Sequence, residues 1–471
     1  MKELMLYRLG KKYHIDEKKI IKKIQYVWEC CTEKEHLSNE EKKKIKKCYI
    51  KSLSDLIVYA TEKKWNGNLW HYYLTDILIQ SENPFSKFYE RKNIHFQRND
   101  SSGISSISNN DTQKHSVIQS DDTHYGNFVN NSLSILAKKD LEVFQQLFSI
   151  DFNRIDNYVQ TDIGDMITNF QWDISSAKEK TVLRREIEQL VQSLANSSTI
   201  NEMYSVLLNF YQKYGVGNLG LNQVFRIEND KNNNIEIFPI KNTSNITFSE
   251  LVGYEIQKKK LIENTKNFVQ GKKANNVLLF GESGTGKSSC IKCISNEFAK
   301  QGLRIIEVYK HQIQDFHKII ENVKDRNYKF IIYMDDLSFE EFEIEYKYLK
   351  AIIEGGLEEQ PDNVLIYATS NRRHLIRESF QDTKDFDMEL HKSDTVEEKL
   401  SLASRFGVSI YFGAPTKKEF QEIVRYLAKR ENIHIEEKNL FLEANQWELA
   451  HGGLTGRSAN QFITYIKGKF S

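Results

Sequence analysis

Val277-Leu278-Leu279-Phe280-Gly281-Glu282-Ser283-Gly284-Thr285-Gly286-Lys287-Ser288 is the stretch whose reading decides the fold. Its first four residues form a short apolar run of the kind that makes a buried strand. The next eight follow G-x-x-x-x-G-K-[ST], and a helix is predicted from Lys287 to about Phe298. Strand, glycine-rich loop and helix stand in the order a phosphate-binding loop requires. The glycines let backbone amides curl around phosphate oxygens, and the helix N-terminus adds a favourable dipole. Lys287 reaches the β- and γ-phosphates of a nucleotide, and the Ser288 hydroxyl ligates Mg²⁺. Gly281, Glu282, Ser283, Gly284, Thr285, Gly286, Lys287, Ser288 and the adjoining Ser289 are the candidate nucleotide-binding residues.

Two further strands carry polar ends. Phe330-Ile331-Ile332-Tyr333-Met334 runs into Asp335-Asp336. A carboxylate at the C-terminal end of such a strand holds the Mg²⁺ sphere, which assigns Asp335 to the metal. Asp336 is the candidate to polarise an attacking water. The other reading of the pair is a polar strand end capping the next helix. Asn363-Val364-Leu365-Ile366-Tyr367-Ala368 leads into Thr369-Ser370-Asn371, where an amide can orient water or touch the γ-phosphate. Taken alone, Asn371 reads more often as a turn residue. From about 245 onward strands and helices alternate, the pattern of a parallel α/β sheet.

The phosphate loop, Asp335-Asp336, Asn371, Arg405 in Ser404-Arg405-Phe406-Gly407 and Arg457 in Thr455-Gly456-Arg457 together resemble an AAA+ ATPase. From about Tyr214 to the C-terminus the chain is more closely similar to one bacterial branch of predicted ATPases, catalogued mainly as a domain of unknown function. The closer match rests on Tyr214-Gly215-Val216-Gly217, Asp335-Asp336-Leu337-Ser338-Phe339-Glu340, Glu354-Gly355-Gly356-Leu357-Glu358-Glu359 and Ala368-Thr369-Ser370-Asn371-Arg372-Arg373.

The resemblance implies a P-loop α/β domain over 245–413, with a five-stranded parallel sheet between helices, then a helical lid over 414–471. It makes Asn371 sensor 1, and Arg405 the arginine finger that completes a neighbouring subunit's site. Arg405 would follow a helix at 395–402 and precede a strand at 408–412. Arg457 becomes sensor 2, at the start of the third lid helix. Val252 and Gly253, in Leu251-Val252-Gly253-Tyr254, fall in the segment that packs against adenine. ATP and Mg²⁺ are the implied cofactors. Two other readings stay open: Arg405 paired with Glu397 or Glu398 on the surface, and Arg457 as a surface residue at a helix start. The commoner acidic pair in the family is Asp-Glu, so Asp336 is one methylene shorter at the base position; Glu340 or Glu341 is the alternative approach to the water. Thr416-Lys417-Lys418-Glu419 is a capping-box pattern that starts the first lid helix.

Outward from this core the sequence says less. At 471 residues, with 66 basic against 65 acidic side chains and a net charge of +1, the chain has room for two to four domains. That balance excludes a globally basic nucleic-acid coat and an acidic tail protein. Four prolines favour long helices, and five cysteines argue against a disulfide framework and for a reducing compartment. No apolar run resembles a leader or a membrane span, so the expected location is the cytoplasm. Residues 1–90 read as helical, with Ile20, Ile24, Val27 and Trp28 on one face. Residues 91–127, rich in Ser and Asn, read as a flexible linker. Residues 128–244 read as a helical region and entry segment: helical patterning returns from 128 to about 215, as in Leu183, Ile187, Leu190, Val191 and Leu194, and Phe225-Arg226-Ile227 looks like a strand.

Three features have competing readings. Lys42-Lys43-Lys44-Ile45-Lys46-Lys47 is a solvated helix face or a nucleic-acid patch. Gly215-Val216-Gly217-Asn218-Leu219-Gly220 matches G-x-G-x-x-G, but a helix precedes it where the dinucleotide fingerprint needs a strand, so it reads as a glycine-rich turn. Cys290 and Cys293 form C-x-x-C inside the helix after the loop and read as core packing rather than a redox or zinc pair, with no structural metal expected.

The leading expectation is an oligomeric, ATP-hydrolysing AAA+ protein that remodels a protein partner recruited by the N-terminal region. The alternatives are a slow nucleotide switch or loader acting on nucleic acid, and a scaffold that binds ATP without hydrolysing it.

Overall fold

The computed structural model describes residues 4, 6–7, 17–33, 38–91, 121–171, 183–229, 234–339, 343–354, 360–372, 375 and 402–470. It divides into two compact units, Met1–Leu221 and Asn222–Ser471.

The first unit is helical. Helices Glu17–Glu33, Asn39–Lys63, Leu69–Gln80, Asp121–Phe148, Arg184–Ala195 and Ile200–Tyr214 are its longest members among the described residues. The long buried faces follow from spacing: Ile45, Tyr49, Ser52, Leu53, Leu56 and Ala60 recur three and four residues apart and meet the core as one stripe. Ser38 and Glu41 close a capping box at the start of that helix, which fixes where it begins. Ile20, Ile24 and Val27 are buried in the same core and Trp28 packs partly against it. Of the stretch expected as a linker, 92–120 lie outside the described residues, and 121–127 open the helix Asp121–Phe148. The glycine-rich segment is helical too. Gly215 ends the helix Ile200–Tyr214 with φ 93°, and Gly217–Leu221 forms one short turn.

The second unit is an α/β domain with a helical C-terminus. Its strands are β1 Val224–Asn229, β2 Ile235–Pro239, β3 Val277–Gly281, β4 Leu303–Glu307, β5 Lys329–Met334, β6 Val364–Ser370 and β7 Val408–Phe412. They lie in the order β2-β1-β4-β5-β6-β3-β7. Every neighbouring pair is parallel except the β1–β2 hairpin. β6 is buried along its whole length, as a central strand covered on both faces must be.

The five parallel strands implied by the resemblance are β4, β5, β6, β3 and β7. The sheet nevertheless has seven, because Val224, Phe225 and Arg226 pair with Ile305, Ile306 and Glu307 and so extend it by the hairpin. β3 and β4 are consecutive in sequence but separated by β5 and β6. The chain therefore reverses its direction of travel across the sheet there, and parallel sheets bind ligands outside the carboxyl ends of the strands flanking such a point.

Helices Lys417–Arg430, Glu437–Ala450 and Gly456–Phe470 pack around Phe420, Val424, Leu440, Ala444, Phe462 and Ile466. Thr416 caps the first of them with Glu419 in a capping box. No described helix is long and apolar enough to cross a membrane.

Candidate nucleotide site

The loop after β3 is shaped by its glycines. Gly281 has φ +130°, and a Cβ placed there would come within 2.1 Å of the Phe412 carbonyl oxygen, so only glycine lets β7 lie this close. The same carbonyl accepts a hydrogen bond of 2.9 Å from the Glu282 amide. Gly286, with φ +94° and open space where a Cβ would stand, turns the chain into the helix Lys287–Phe298. A glycine-rich loop that runs into a helix N-terminus is a cradle for anionic phosphates.

Lys287 is buried at the base of the loop, where its Nζ donates to the Gly281 carbonyl at 2.8 Å and the Glu282 carbonyl at 2.7 Å. A third bond of 3.1 Å goes to Asn371 Oδ1. Loss of water around the ammonium lowers its pKa, and the nearby Asp336, Glu282 and Asp335 carboxylates oppose that shift. Asn371 also donates from Nδ2 to Asp336 Oδ1 at 2.7 Å, so one amide joins the loop lysine to the acid.

Asp335 collects three hydroxyls on one oxygen. Ser288 at 2.8 Å, Tyr333 at 2.6 Å and Thr369 at 2.5 Å all donate to its Oδ1. Desolvation works to raise the pKa of this carboxyl, but bonds from Thr369, Tyr333 and Ser288 outweigh it and leave the group below the usual carboxylate range. The arrangement favours the charged carboxylate beside the Ser288 hydroxyl. Two hard oxygen donors at the mouth of a phosphate cradle suit Mg²⁺, which favours oxygen ligands and keeps several waters.

Asp336 sits in the left-handed region at φ 48°, tolerable for aspartate and costly for most residues. Its amide donates to Thr369 Oγ1 at 2.9 Å, so Thr369 holds both acids at once.

Arg457 enters from the lid. Its amide donates to the Gly284 carbonyl at 3.3 Å, and a Cβ on Gly284 would stand 3.1 Å from that of Arg457, so the third lid helix begins directly against the loop. Val252 packs against the lid core, and Gly253 adopts φ +81° with open space around it. Arg405 is not among these groups: its guanidinium pairs with Glu354, at the end of the helix Ile344–Glu354. Glu397, Glu398, residues 395–401 of the helix expected over 395–402, and the alternative acids Glu340 and Glu341 lie outside the described residues.

Sequence reasoning missed Tyr333, Thr369, Glu354 and Lys258. Tyr333 precedes Asp335 by two positions and so shares its side of the strand, a signal hidden by the apolar run around it. Lys258, buried, donates to the Leu251 carbonyl and ties down the segment holding Val252 and Gly253. Glu307, at the end of β4, is a further neighbouring acid. Burial and the Asp335 charge raise its pKa. Cys290 and Cys293 are both buried in the helix after the loop, and burial pushes their thiols up to about 12, which keeps them in the unreactive protonated form.

Solved structures similar to the chain include the Holliday junction branch migration motor RuvB of Thermotoga maritima, at 20% identity over 47% of this chain and 63% of that one, with a TM-score of 0.33. Two point mutants of that protein compare alike, at 19% and 20% identity, 47% of this chain, 63% and 64% of theirs, and TM-scores of 0.32 and 0.33. The chain thus spans less than two thirds of each of these structures. No curated protein matches it. Residues 221–470, just over half of the chain, match the model of the family described as "Protein of unknown function (DUF815)". A phosphate loop, an acidic strand end and a helical lid on one mostly parallel sheet give the chain an AAA+ fold, and the match over more than half of its length shows that it belongs to that family.

Proposed function

We propose that the chain hydrolyses ATP with Mg²⁺ and uses the cycle to remodel a protein partner, working as an oligomer in the cytoplasm. The observation that carries hydrolysis is the continuous link Lys287–Asn371–Asp336 at 3.1 and 2.7 Å. A site built only to hold nucleotide has no need to tie its phosphate-binding lysine to a carboxylate placed for a water. In this reading Lys287 and the loop amides bind the β- and γ-phosphates, while Ser288 and Asp335 hold Mg²⁺. The metal, when bound, neutralises charge on the phosphate oxygens. Asn371 engages Asp336 Oδ1, which leaves the second oxygen to take the proton of the attacking water. The γ-phosphoryl group passes to that water and ADP leaves with the electron pair of the broken bond.

Arg457 contacts the γ-phosphate from the lid, and Val252 and Gly253 border adenine. Arg405 acts in trans on the next subunit's nucleotide, which makes the oligomer part of the active site. The test is steady-state phosphate release by the wild type, Lys287→Ala and Arg405→Ala. Turnover beyond one ATP per site that both substitutions abolish supports the reading; a single stoichiometric burst favours a scaffold that only binds.

A second reading, a loader acting on nucleic acid, is favoured by one feature of the helix Asn39–Lys63. Ile45 is buried, Lys46 donates to the Gln160 carbonyl at 2.8 Å and Lys42 lies over the Tyr158 ring. Lys43, Lys47 and Lys51 stand four residues apart on the opposite, solvent side, about 6 Å per step along the axis. Salt-dependent binding of single- or double-stranded DNA or RNA, lost when these three are neutralised, would support it.

A further inference from the structure

The segment beginning at Glu354 distinguished this sequence, yet nothing in the hydrolytic reading uses it. Glu354 closes the helix Ile344–Glu354, and its Oε1 receives Arg405 Nη2 in an ion pair. The two residues lie about fifty positions apart. Arg405 is anchored on a rigid base: Leu402 and Phe406, on either side of it, are both buried. Both members of the pair are about one-third exposed, at 31% and 37% of their side-chain surface. Pairs this open add little to stability, so stability does not explain the contact.

The guanidinium explains it better. Arginine presents its N–H groups as a rigid planar fork, and an acid gripping one nitrogen fixes the plane of all the others. Here Glu354 takes Nη2, while Nη1 is shielded from water and has no hydrogen-bond partner among the described residues. With Nη1 buried and Nη2 gripped, the plane of the guanidinium is fixed, and a planar fork held in one orientation suits the oxygens of a phosphate.

We propose that Glu354 is a positioning residue for Arg405, fixing the plane of its guanidinium for the phosphates of a nucleotide bound by a neighbouring copy of this chain. The proposal rests on the trans reading of Arg405 given above. It makes Glu354 act on a site to which its own chain contributes only the finger.

The two chains of a mixed assembly separate this from a general structural role. Mixing Lys287→Ala with Arg405→Ala leaves one kind of competent site, with the loop from the Arg405→Ala chain and the finger from the Lys287→Ala chain. Glu354→Ala or Glu354→Gln is then added to one chain at a time. On the finger-donating chain, Glu354→Ala lowers phosphate release about tenfold to a hundredfold, the scale expected when a reacting group is misplaced by about an ångström, with affinity for a fluorescent ATP analogue unchanged. Glu354→Gln, which keeps the shape and an acceptor oxygen, falls between Ala and the parent. On the loop-donating chain, where Arg405 is already absent, both substitutions leave the rate as in the parent mixture. An unchanged or increased rate from the finger-donating side, or an equal loss from either side, overturns the proposal while the trans finger stands. An inactive parent mixture removes the trans finger, and the proposal with it.

Discussion

The Thr369 hydroxyl donates to Asp335 Oδ1 at 2.5 Å, which binds the end of β6 to the end of β5 at the acid best placed for Mg²⁺. Thr369→Val keeps the shape and removes the bond. Supporting hydrogen bonds of this type are typically worth about 10–100-fold in metal affinity, so the Mg²⁺ concentration for half-maximal phosphate release should rise by that factor. Tyr333→Phe should act in the same direction.

The same bonds set a pH dependence. Asp335 titrates below the ordinary carboxylate range, so its contribution is present above the unfolded-state pKa and is lost only as pH falls through the lower, folded value. Removing Thr369 Oγ1 raises the folded value. The acid limb of Mg²⁺-dependent activity should therefore move to higher pH in Thr369→Val, as a pH–rate profile at subsaturating Mg²⁺ would record. A limb that stays in place would mean that another group governs it.

Lys287 behaves in the opposite sense. Burial lowers its pKa, so its ammonium is lost at a lower pH than that of an exposed lysine, and nucleotide affinity should fall early on the alkaline side. Bound phosphates favour the charged form and raise the value again. Binding at alkaline pH should then take up protons, visible in calorimetry as a heat that depends on the buffer's ionisation enthalpy. Binding with no proton uptake across the alkaline range would contradict this.

Two loop glycines should differ in what alanine costs. At Gly281 the new Cβ meets the Phe412 carbonyl oxygen at 2.1 Å as well as adopting a positive φ, so β3 and β7 must shift. Overpacking of this sort costs about 1–3 kcal/mol beyond the backbone strain. Gly286→Ala meets open space and should carry only the strain, about 1–2 kcal/mol. Urea unfolding of the two variants would rank them, and equal midpoints would show that the β3–β7 approach is looser than described.

The parts legible in the sequence were those whose signal is local. The loop, the helix after it, the strands ending at Asp335 and Asn371 and the Thr416 cap each rest on residues within about ten positions of one another. What escaped depends on pairing across the fold. The hairpin joins the sheet through Val224 against Ile305, some eighty residues away, and no periodicity in β1 announces that partner. Arg405 reads from its sequence neighbours either as a finger or as a surface partner of Glu397 or Glu398, and neither reading points to Glu354, the acid that pairs with it among the described residues. Tyr333 passed as one more apolar strand residue because its ring does pack in the core, while its hydroxyl serves the site.

The most direct test of the central claim mixes two inactive chains. Arg405→Ala lacks the finger and should lose about 10³–10⁵ in turnover if a trans arginine completes the site, and Lys287→Ala, without the phosphate-binding lysine, should also be inactive. Combined, they should recover a fraction of wild-type phosphate release that rises with the proportion of mixed contacts. A mixture as inactive as its components, beside a wild type that turns over as a monomer, would contradict the claim that one copy of this chain supplies the catalytic arginine to the next.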